Sequence, residues 1–125
     1  MKPMRFLLAV LALPTAAPAQ PAPLFEKALP DLPGKEVTLV EVVLPPGGAS
    51  PAHRHNAHVV VYVLEGRITL QVKDKPPQTL GVGQTFYEQP EDIHTVGRNA
   101  SATAPARFLA FFIKSKGAPR TVPVP

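Results

Sequence analysis

Three of the chain's four histidines fall within six residues, at His53, His55 and His58. One residue separates His53 from His55, so on an extended strand both side chains point to one face, about 6.8 Å apart along it. Neutral imidazoles at that spacing can converge on one metal ion, with metal–nitrogen bonds of about 2.0–2.1 Å. His94 lies on a later predicted strand and would supply a third nitrogen from across the fold. Surface histidines in a loop are the alternative that this spacing leaves open.

Two more side chains are candidates as additional ligands. Glu88 lies six residues before His94 and is a candidate fourth ligand, general base or hydrogen-bond acceptor for a ligand histidine. The simpler interpretation of Glu88 is an exposed glutamate at a strand end. His58 points to the opposite face from the predicted site, unless a bulge at Asn56-Ala57 rotates it inward. No catalytic residue is assigned beyond Glu88 as a candidate.

The segments that carry these residues are predicted to be short β-strands. Residues 36–44, 58–64, 67–73 and 107–114 are rich in β-branched and aromatic residues and are separated by turn sequences such as the Pro-Pro-Gly-Gly of 45–48. No helix and no internal repeat is predicted after the first 19 residues. Short strands at this spacing are typical of an all-β sandwich or barrel.

Residues 58–64 and 67–73 are predicted to form a hairpin across Glu65-Gly66, since glycine tolerates a positive φ in a tight loop. Directly opposite residues share a face. One face is wholly apolar and is predicted to form the barrel interior: Val59, Val61, Val63, Ile68, Leu70 and Val72. The other face carries a second apolar stripe of Val60, Tyr62 and Leu64, which the N-terminal arm or a second subunit would cover.

Residues 1–19 have the pattern of a secretory signal. Lys2 and Arg5 give a positive start, an apolar stretch follows, and Ala17-Pro18-Ala19 fits a cleavage site with the cut after Ala19. A membrane anchor needs about 20 apolar residues, and Pro14 interrupts this segment. The expected location is therefore periplasmic or secreted, with no membrane attachment after cleavage.

The rest of the chain divides into a Pro-rich arm (20–35), a barrel domain (36–115) and an irregular tail (116–125). Cleavage would remove two of the 13 Lys and Arg, leaving 11 against nine Asp and Glu. This near balance argues against a nucleic-acid partner. The chain has no cysteine, so an exported domain of this size must rely on its apolar core and not on disulfides.

The spacing around the histidines resembles the first motif of the cupin superfamily of small β-barrels. Gly47, His53, His55 and Gly66 fall at the motif's positions. Val59 stands where the motif has a glutamate. The predicted site therefore lacks that carboxylate.

The second cupin motif is matched less completely, by Gly83 and His94. Three other residues occupy the places of its Pro, Gly and Asn: Gln89, Glu91 and Arg98. The resemblance covers about residues 37–114, nearly the whole predicted domain.

The resemblance implies a cupin double-stranded β-helix, or jelly-roll barrel, that binds a small-molecule ligand or substrate and forms a homodimer. It implies a divalent transition metal (Fe, Mn, Zn, Ni or Cu) on His53, His55 and His94. Three-histidine sites occur in related thiol and diketone-cleaving dioxygenases. Three neutral ligands leave the ion its double charge, which favours anionic substrates and Lewis-acid activation.

Two functions from different classes follow from this interpretation. The first is an exported metal-dependent oxidoreductase, similar to a dioxygenase, that acts on a small organic molecule. The alternative is a non-catalytic cupin that binds a metal or small ligand for storage, sensing or carriage. The absent glutamate and the incomplete second motif favour the alternative, so whether the protein is an enzyme is left open. A purely structural barrel is disfavoured by the three histidines at cupin spacing.

Overall fold

The computed structural model describes residues 20–125, which form eleven β-strands and no helix. The predicted signal, residues 1–19, lies outside the described residues. In this part of the chain there is accordingly no helix that could span a membrane. The strands in chain order are β1 (Phe25–Ala28), β2 (Lys35–Leu44), β3 (Ala49–Ser50), β4 (His53–Arg54), β5 (His58–Glu65), β6 (Ile68–Val72), β7 (Gln78–Leu80), β8 (Thr85–Glu88), β9 (Ile93–Asn99), β10 (Ala106–Ser115) and β11 (Val122–Pro123).

The strands form two antiparallel sheets whose apolar faces meet. The first sheet has the order β1-β2-β10-β5-β8 and the second β11-β4-β9-β6-β7, with β3 also paired to β9. Alternate residues of each strand point between the sheets and form one core, because side chains on a strand alternate between its faces. This arrangement confirms the predicted all-β jelly-roll barrel. The buried core includes Val40, Val61, Val63, Ile68, Leu70 and Phe112.

The predicted hairpin between residues 58–64 and 67–73 is wrong, because β5 and β6 belong to different sheets. Glu65-Gly66 carries the chain from one sheet to the other. Gly66 has a φ of 71°, and a Cβ there would lie 2.5 Å from the Pro105 carbonyl oxygen. Both the backbone angle and the close approach therefore require glycine.

The predicted inward face is nevertheless buried. All six of its residues are at most 5% exposed: Val59, Val61, Val63, Ile68, Leu70 and Val72. The alternation of apolar and polar residues reports which way each side chain faces. It does not report which strand lies alongside, so the faces were predictable and the pairing was not.

The two terminal segments are more ordered than the sequence indicates. β1 of the Pro-rich arm pairs with β2, and β11 of the tail pairs with β4. The arm does not cover the outer apolar stripe of β5, where Val60 and Tyr62 are 41% and 45% exposed. The alternative in which the arm covers that stripe is therefore wrong for residues 20–125.

A buried ion pair directs the tail back across the barrel. The Lys114 ammonium contacts the Glu36 carboxylate and donates to the Ala118 carbonyl at 2.7 Å. Gly117 N–H also donates to Glu36, at 3.3 Å. These contacts fix the turn that follows β10, and the next residues reach the end of the barrel where the histidines lie.

Candidate metal centre

The first motif places two histidines at one end of the barrel interior. His53 lies on β4 directly opposite His94 on β9. His55 lies just after β4, where Asn56 adopts a φ of 50° and Ala57 is buried. Asparagine tolerates this left-handed conformation better than most residues. The predicted same-face spacing is thus realised by a short strand and a turn together.

The three predicted ligand histidines form one cluster of rings. The ring centroids of His53 and His55 are 4.7 Å apart, and those of His53 and His94 are 5.2 Å apart. His55 and His94 are separated by 5.6 Å between centroids. Residues from two distant parts of the sequence therefore meet at one point.

Glu88 lies within this cluster and is 2% exposed. Its Oε2 contacts His94 Nε2 and lies 3.6 Å from His55 Nε2. Ligand atoms of His55, Glu88 and His94 all lie within 4.8 Å of one another. The interpretation of Glu88 as an exposed strand-end residue is therefore wrong.

The reason is the pairing of β8 with β5. Glu88 is directly opposite Val59, the position at which the cupin motif has its glutamate. Directly opposite residues point to the same side of a sheet, and Val59 points inward, with 1% exposure. The carboxylate therefore enters the cluster from the neighbouring strand at the same level. No local sequence pattern indicates which residue of β8 faces Val59.

His58 is not part of the cluster. It lies exposed at the start of β5, where Nδ1 is 2.7 Å from the Tyr87 hydroxyl and the two rings stack. The structure therefore removes His58 as an additional ligand, and no bulge at Asn56-Ala57 turns it inward. Its contacts are those of a surface residue.

Backbone carbonyls orient two of the rings. His53 Nδ1–H donates to the Pro51 carbonyl at 2.8 Å, and His55 Nδ1–H donates to the Arg120 carbonyl. A carbonyl can only accept, so in both neutral rings the proton is on Nδ1 and the lone pair is on Nε2. Burial lowers the pKa of both histidines below the usual 6.5. Neutral imidazole, the form that binds metals, is therefore favoured near neutral pH.

The nitrogen and oxygen atoms of this cluster are arranged to bind a cation. His53 Nε2 and His55 Nε2 lie 3.2 Å apart with their lone pairs converging. His94 Nε2 is buried and has no hydrogen-bond partner among the described residues, although it lies against Glu88 Oε2. Two nitrogens bound to one ion at about 2.0–2.1 Å would be separated by roughly 3.2 Å at a bond angle near 100°. Three imidazoles and one carboxylate are a donor set that divalent transition metals accept, so these residues fit such an ion.

A cavity of about 440 Å³ adjoins the cluster. Its walls away from the histidines are apolar: Val40, Val42, Leu44, Val61, Leu70 and Phe108. The arm and the tail border it as well, through Gln20, Pro21 and Arg120. The Arg120 guanidinium donates to the Pro21 carbonyl and so joins the two terminal segments. Sequence reasoning missed this contribution, because neither segment carries a recognisable motif.

Comparisons with known proteins agree with this architecture. The family model described as "Cupin domain" matches residues 40–112, more than half of the chain. No curated protein matches the sequence.

Solved structures with a similar fold are diverse. The DMSP lyase DddQ from Ruegeria pomeroyi is 22% identical over 69% of this chain and 42% of the lyase, with a TM-score of 0.60. TT1209 from Thermus thermophilus is 25% identical over 76% of this chain and 82% of its own, also with a TM-score of 0.60. The polyketide cyclase RemF from Streptomyces resistomycificus is 25% identical over 77% of this chain and 66% of the cyclase, with a TM-score of 0.58. This chain thus spans less than half the length of the lyase. Family match, fold and motif spacing agree: the chain belongs to the cupin superfamily.

Proposed function

We propose that this protein is a metal-binding cupin whose centre consists of His53, His55, His94 and Glu88, and that it acts on a small organic molecule as a metal-dependent, dioxygenase-like enzyme. The observation that carries the proposal is the meeting of three imidazoles and a buried carboxylate at one end of an apolar cavity. When bound, a divalent transition metal supplies Lewis acidity and, if it is redox-active, electron transfer.

Glu88 changes the electrostatics that the sequence predicts for the site. Three neutral histidines would leave the ion its double charge, whereas an ionised Glu88 reduces the net charge of the centre to about +1. The centre stays attractive to an anionic group but discriminates less strongly against neutral molecules. General-base action is the alternative role of the Glu88 carboxylate, because an Oε2 that binds the ion is not free to accept a proton.

The other residues of the cavity orient a bound molecule and exclude water. The Pro51 and Arg120 carbonyls hold two histidine rings in place. Such partners of metal ligands commonly affect metal affinity 10- to 100-fold. The apolar walls keep bulk water from the centre and so strengthen the electrostatic interactions there.

The related structures support a small organic molecule and leave the reaction type to experiment. Their names include a DMSP lyase, a polyketide cyclase and an oxalate oxidase in complex with glycolate. One fold therefore hosts different chemistries, and a function is argued from the site.

The alternative is a cupin that binds a metal or small ligand without turnover. The apolar cavity walls favour this alternative, because they offer no second acid or base among the described lining residues away from the cluster. An oxygenase should consume oxygen only when loaded with a redox metal. A binding protein should be stabilised by its ligand without consuming it.

Metal content is the first test. Protein of residues 20–125, purified without an affinity tag, should contain near-stoichiometric transition metal by mass spectrometry. The double variant His53→Ala, His94→Ala should contain almost none, because it loses two of four proposed ligands. His58→Ala is the matched control and should retain the wild-type content, since His58 is exposed and outside the cluster. Wild-type protein that holds no metal even after reconstitution would rule the proposal out.

Export and homodimerisation complete the proposal. Export is supported by the signal pattern of residues 1–19, and a dimer by the exposed apolar residues on the outer face of the first sheet, where Val60 lies opposite Phe111. The intact mass of protein recovered from the cell envelope or medium checks cleavage after Ala19. Sedimentation of the purified protein checks the dimer, and a monomer at all concentrations would exclude it.

A further inference from the structure

Gly97 lies in the middle of β9 although its backbone does not require glycine. It faces the interior, directly opposite Leu70 on β6 and Ser50 on β3. Its φ is outside the left-handed range, and a Cβ would meet only Leu70 at 3.9 Å and Ser50 at 4.0 Å, which are ordinary contacts. A glycine inside a strand weakens it and often marks the close approach of a ligand. Gly97 therefore leaves space that a larger residue could have filled.

Ala110 has a comparable place on the opposite sheet. It lies in the middle of β10, directly opposite Val40 and Val61, and is 4% exposed. Both Ala110 and Gly97 line the cavity next to the histidine cluster. Two small residues on facing sheets thus widen the same part of the barrel interior.

The cavity is polar at one end and apolar beyond it. Along β10 the inward residue nearest the centre is Phe112, directly opposite Val59, which in turn lies opposite Glu88. The next inward residues are Ala110 and then Phe108. On the second sheet, the next inward residue of β9 after His94 is Gly97, which lies opposite Leu70. A molecule bound at the centre therefore has its metal-binding end among polar groups and the rest among apolar side chains.

The charges that border the cavity favour an anion. Among the described residues that line the cavity, Arg120 is the one with a permanently cationic side chain. Its contact with Pro21 places it at the border formed by the two terminal segments. The proposed centre itself keeps a net positive charge with a divalent ion. Both features attract one negatively charged group to that end of the cavity.

We propose that Gly97 and Ala110 determine specificity by opening an apolar chamber, and that the ligand is a small monoanion with an oxygen donor group at one end and an apolar body. This inference rests on the proposed metal centre. The donor group binds the ion held by His53, His55, His94 and Glu88. The body lies between Gly97 and Ala110. A second charged group on the body would lose its water without gaining a charged partner, so dianions are excluded.

The test uses Co²⁺-loaded protein and three probes, acetate, benzoate and terephthalate, with binding followed by the visible absorption of cobalt. Benzoate should bind about tenfold tighter than acetate, because its ring buries apolar surface. Terephthalate, with a second carboxylate at the far end, should lose this gain. Gly97→Val should weaken benzoate about tenfold through overpacking, leave acetate within about twofold, and leave the cobalt content unchanged.

Matched variants separate a filled chamber from general damage. Gly81→Val makes the same change at a glycine that also lacks a positive φ and lies outside the cavity lining, and it should bind benzoate like the wild type. Gly97→Ala should give an intermediate loss if Gly97→Val does not fold. If cobalt-loaded wild type binds acetate and benzoate equally, the chamber proposal is wrong but the proposed metal centre stands. Wild type that binds no cobalt overturns the metal centre, and the chamber proposal with it.

Discussion

Replacing Glu88 with alanine should remove most of the bound metal, and adding a glutamate at position 59 should restore it. The two positions are directly opposite on β5 and β8, and both point into the barrel. Directly opposite Cβ atoms are about 4.5–5.5 Å apart, which is within reach of a glutamate side chain. Glu88→Ala should weaken metal binding about 100-fold or more, because even outer partners of metal ligands contribute 10- to 100-fold. Val59→Glu combined with Glu88→Ala should recover most of that loss.

The control is the same glutamate one position along the strand. Val60 is 41% exposed and faces outward, so Val60→Glu combined with Glu88→Ala should stay as weak as Glu88→Ala alone. Affinity is measured by competition with a chromophoric chelator, and folding is monitored by circular dichroism of each variant. Wild-type affinity in Glu88→Ala, or equal rescue by position 60, would show that Glu88 does not bind the ion.

The rescue experiment also identifies what the sequence could not show. Position 59 is valine, so the motif alone predicts a centre without a carboxylate. The missing information is the pairing of β5 with β8, which joins residues far apart in the chain. Alternation predicts which residues of a strand face the core, but it does not predict which strand lies alongside. Glu88 looked like an ordinary strand-end residue for that reason.

Other features were predictable because they depend on local patterns. The period-2 alternation identified the inward valines of β5, and the motif spacing brought His53, His55 and His94 together. The hairpin at Glu65-Gly66 failed because a short glycine loop fits both a hairpin and a crossing between sheets. The contribution of the tail to the site was not predicted, because the Arg120 carbonyl that orients His55 is a backbone group that any residue could supply.

Metal should stabilise the folded protein strongly at pH 7, and acid should abolish that gain. With free metal at about 1,000 times the dissociation constant, the free energy of unfolding should rise by about 4 kcal/mol. Bound histidines must be neutral, so protons compete with the metal as the pH falls. Denaturant titrations of the metal-free protein, prepared with a chelator, and of the metal-loaded protein between about pH 4 and pH 8 measure this difference directly.

The metal-free protein should itself lose stability as the pH falls, in one range that begins near pH 6.5 and another that begins near pH 4.5. Burial lowers the pKa of His53 and His55 below 6.5, so the unfolded chain binds protons first. Stability therefore falls as the pH drops from 6.5 towards the folded-state values. A hydrogen bond from Lys114 lowers the pKa of Glu36 below 4.5. The contribution of this hydrogen bond to stability is complete above pH 4.5 and is lost as the pH falls through the pKa of Glu36 in the folded state.

Variants assign the two ranges to their groups. The double variant His53→Ala, His94→Ala should lose the metal-dependent gain and flatten the decline that begins near 6.5, but keep the loss below 4.5. His58→Ala should leave both ranges unchanged, because His58 is exposed on the outer face. If metal-free and metal-loaded wild type have the same free energy of unfolding at pH 7, the cluster binds no metal. Both pH ranges would remain in that case, because neither the burial of His53 and His55 nor the Lys114–Glu36 pair depends on a bound metal.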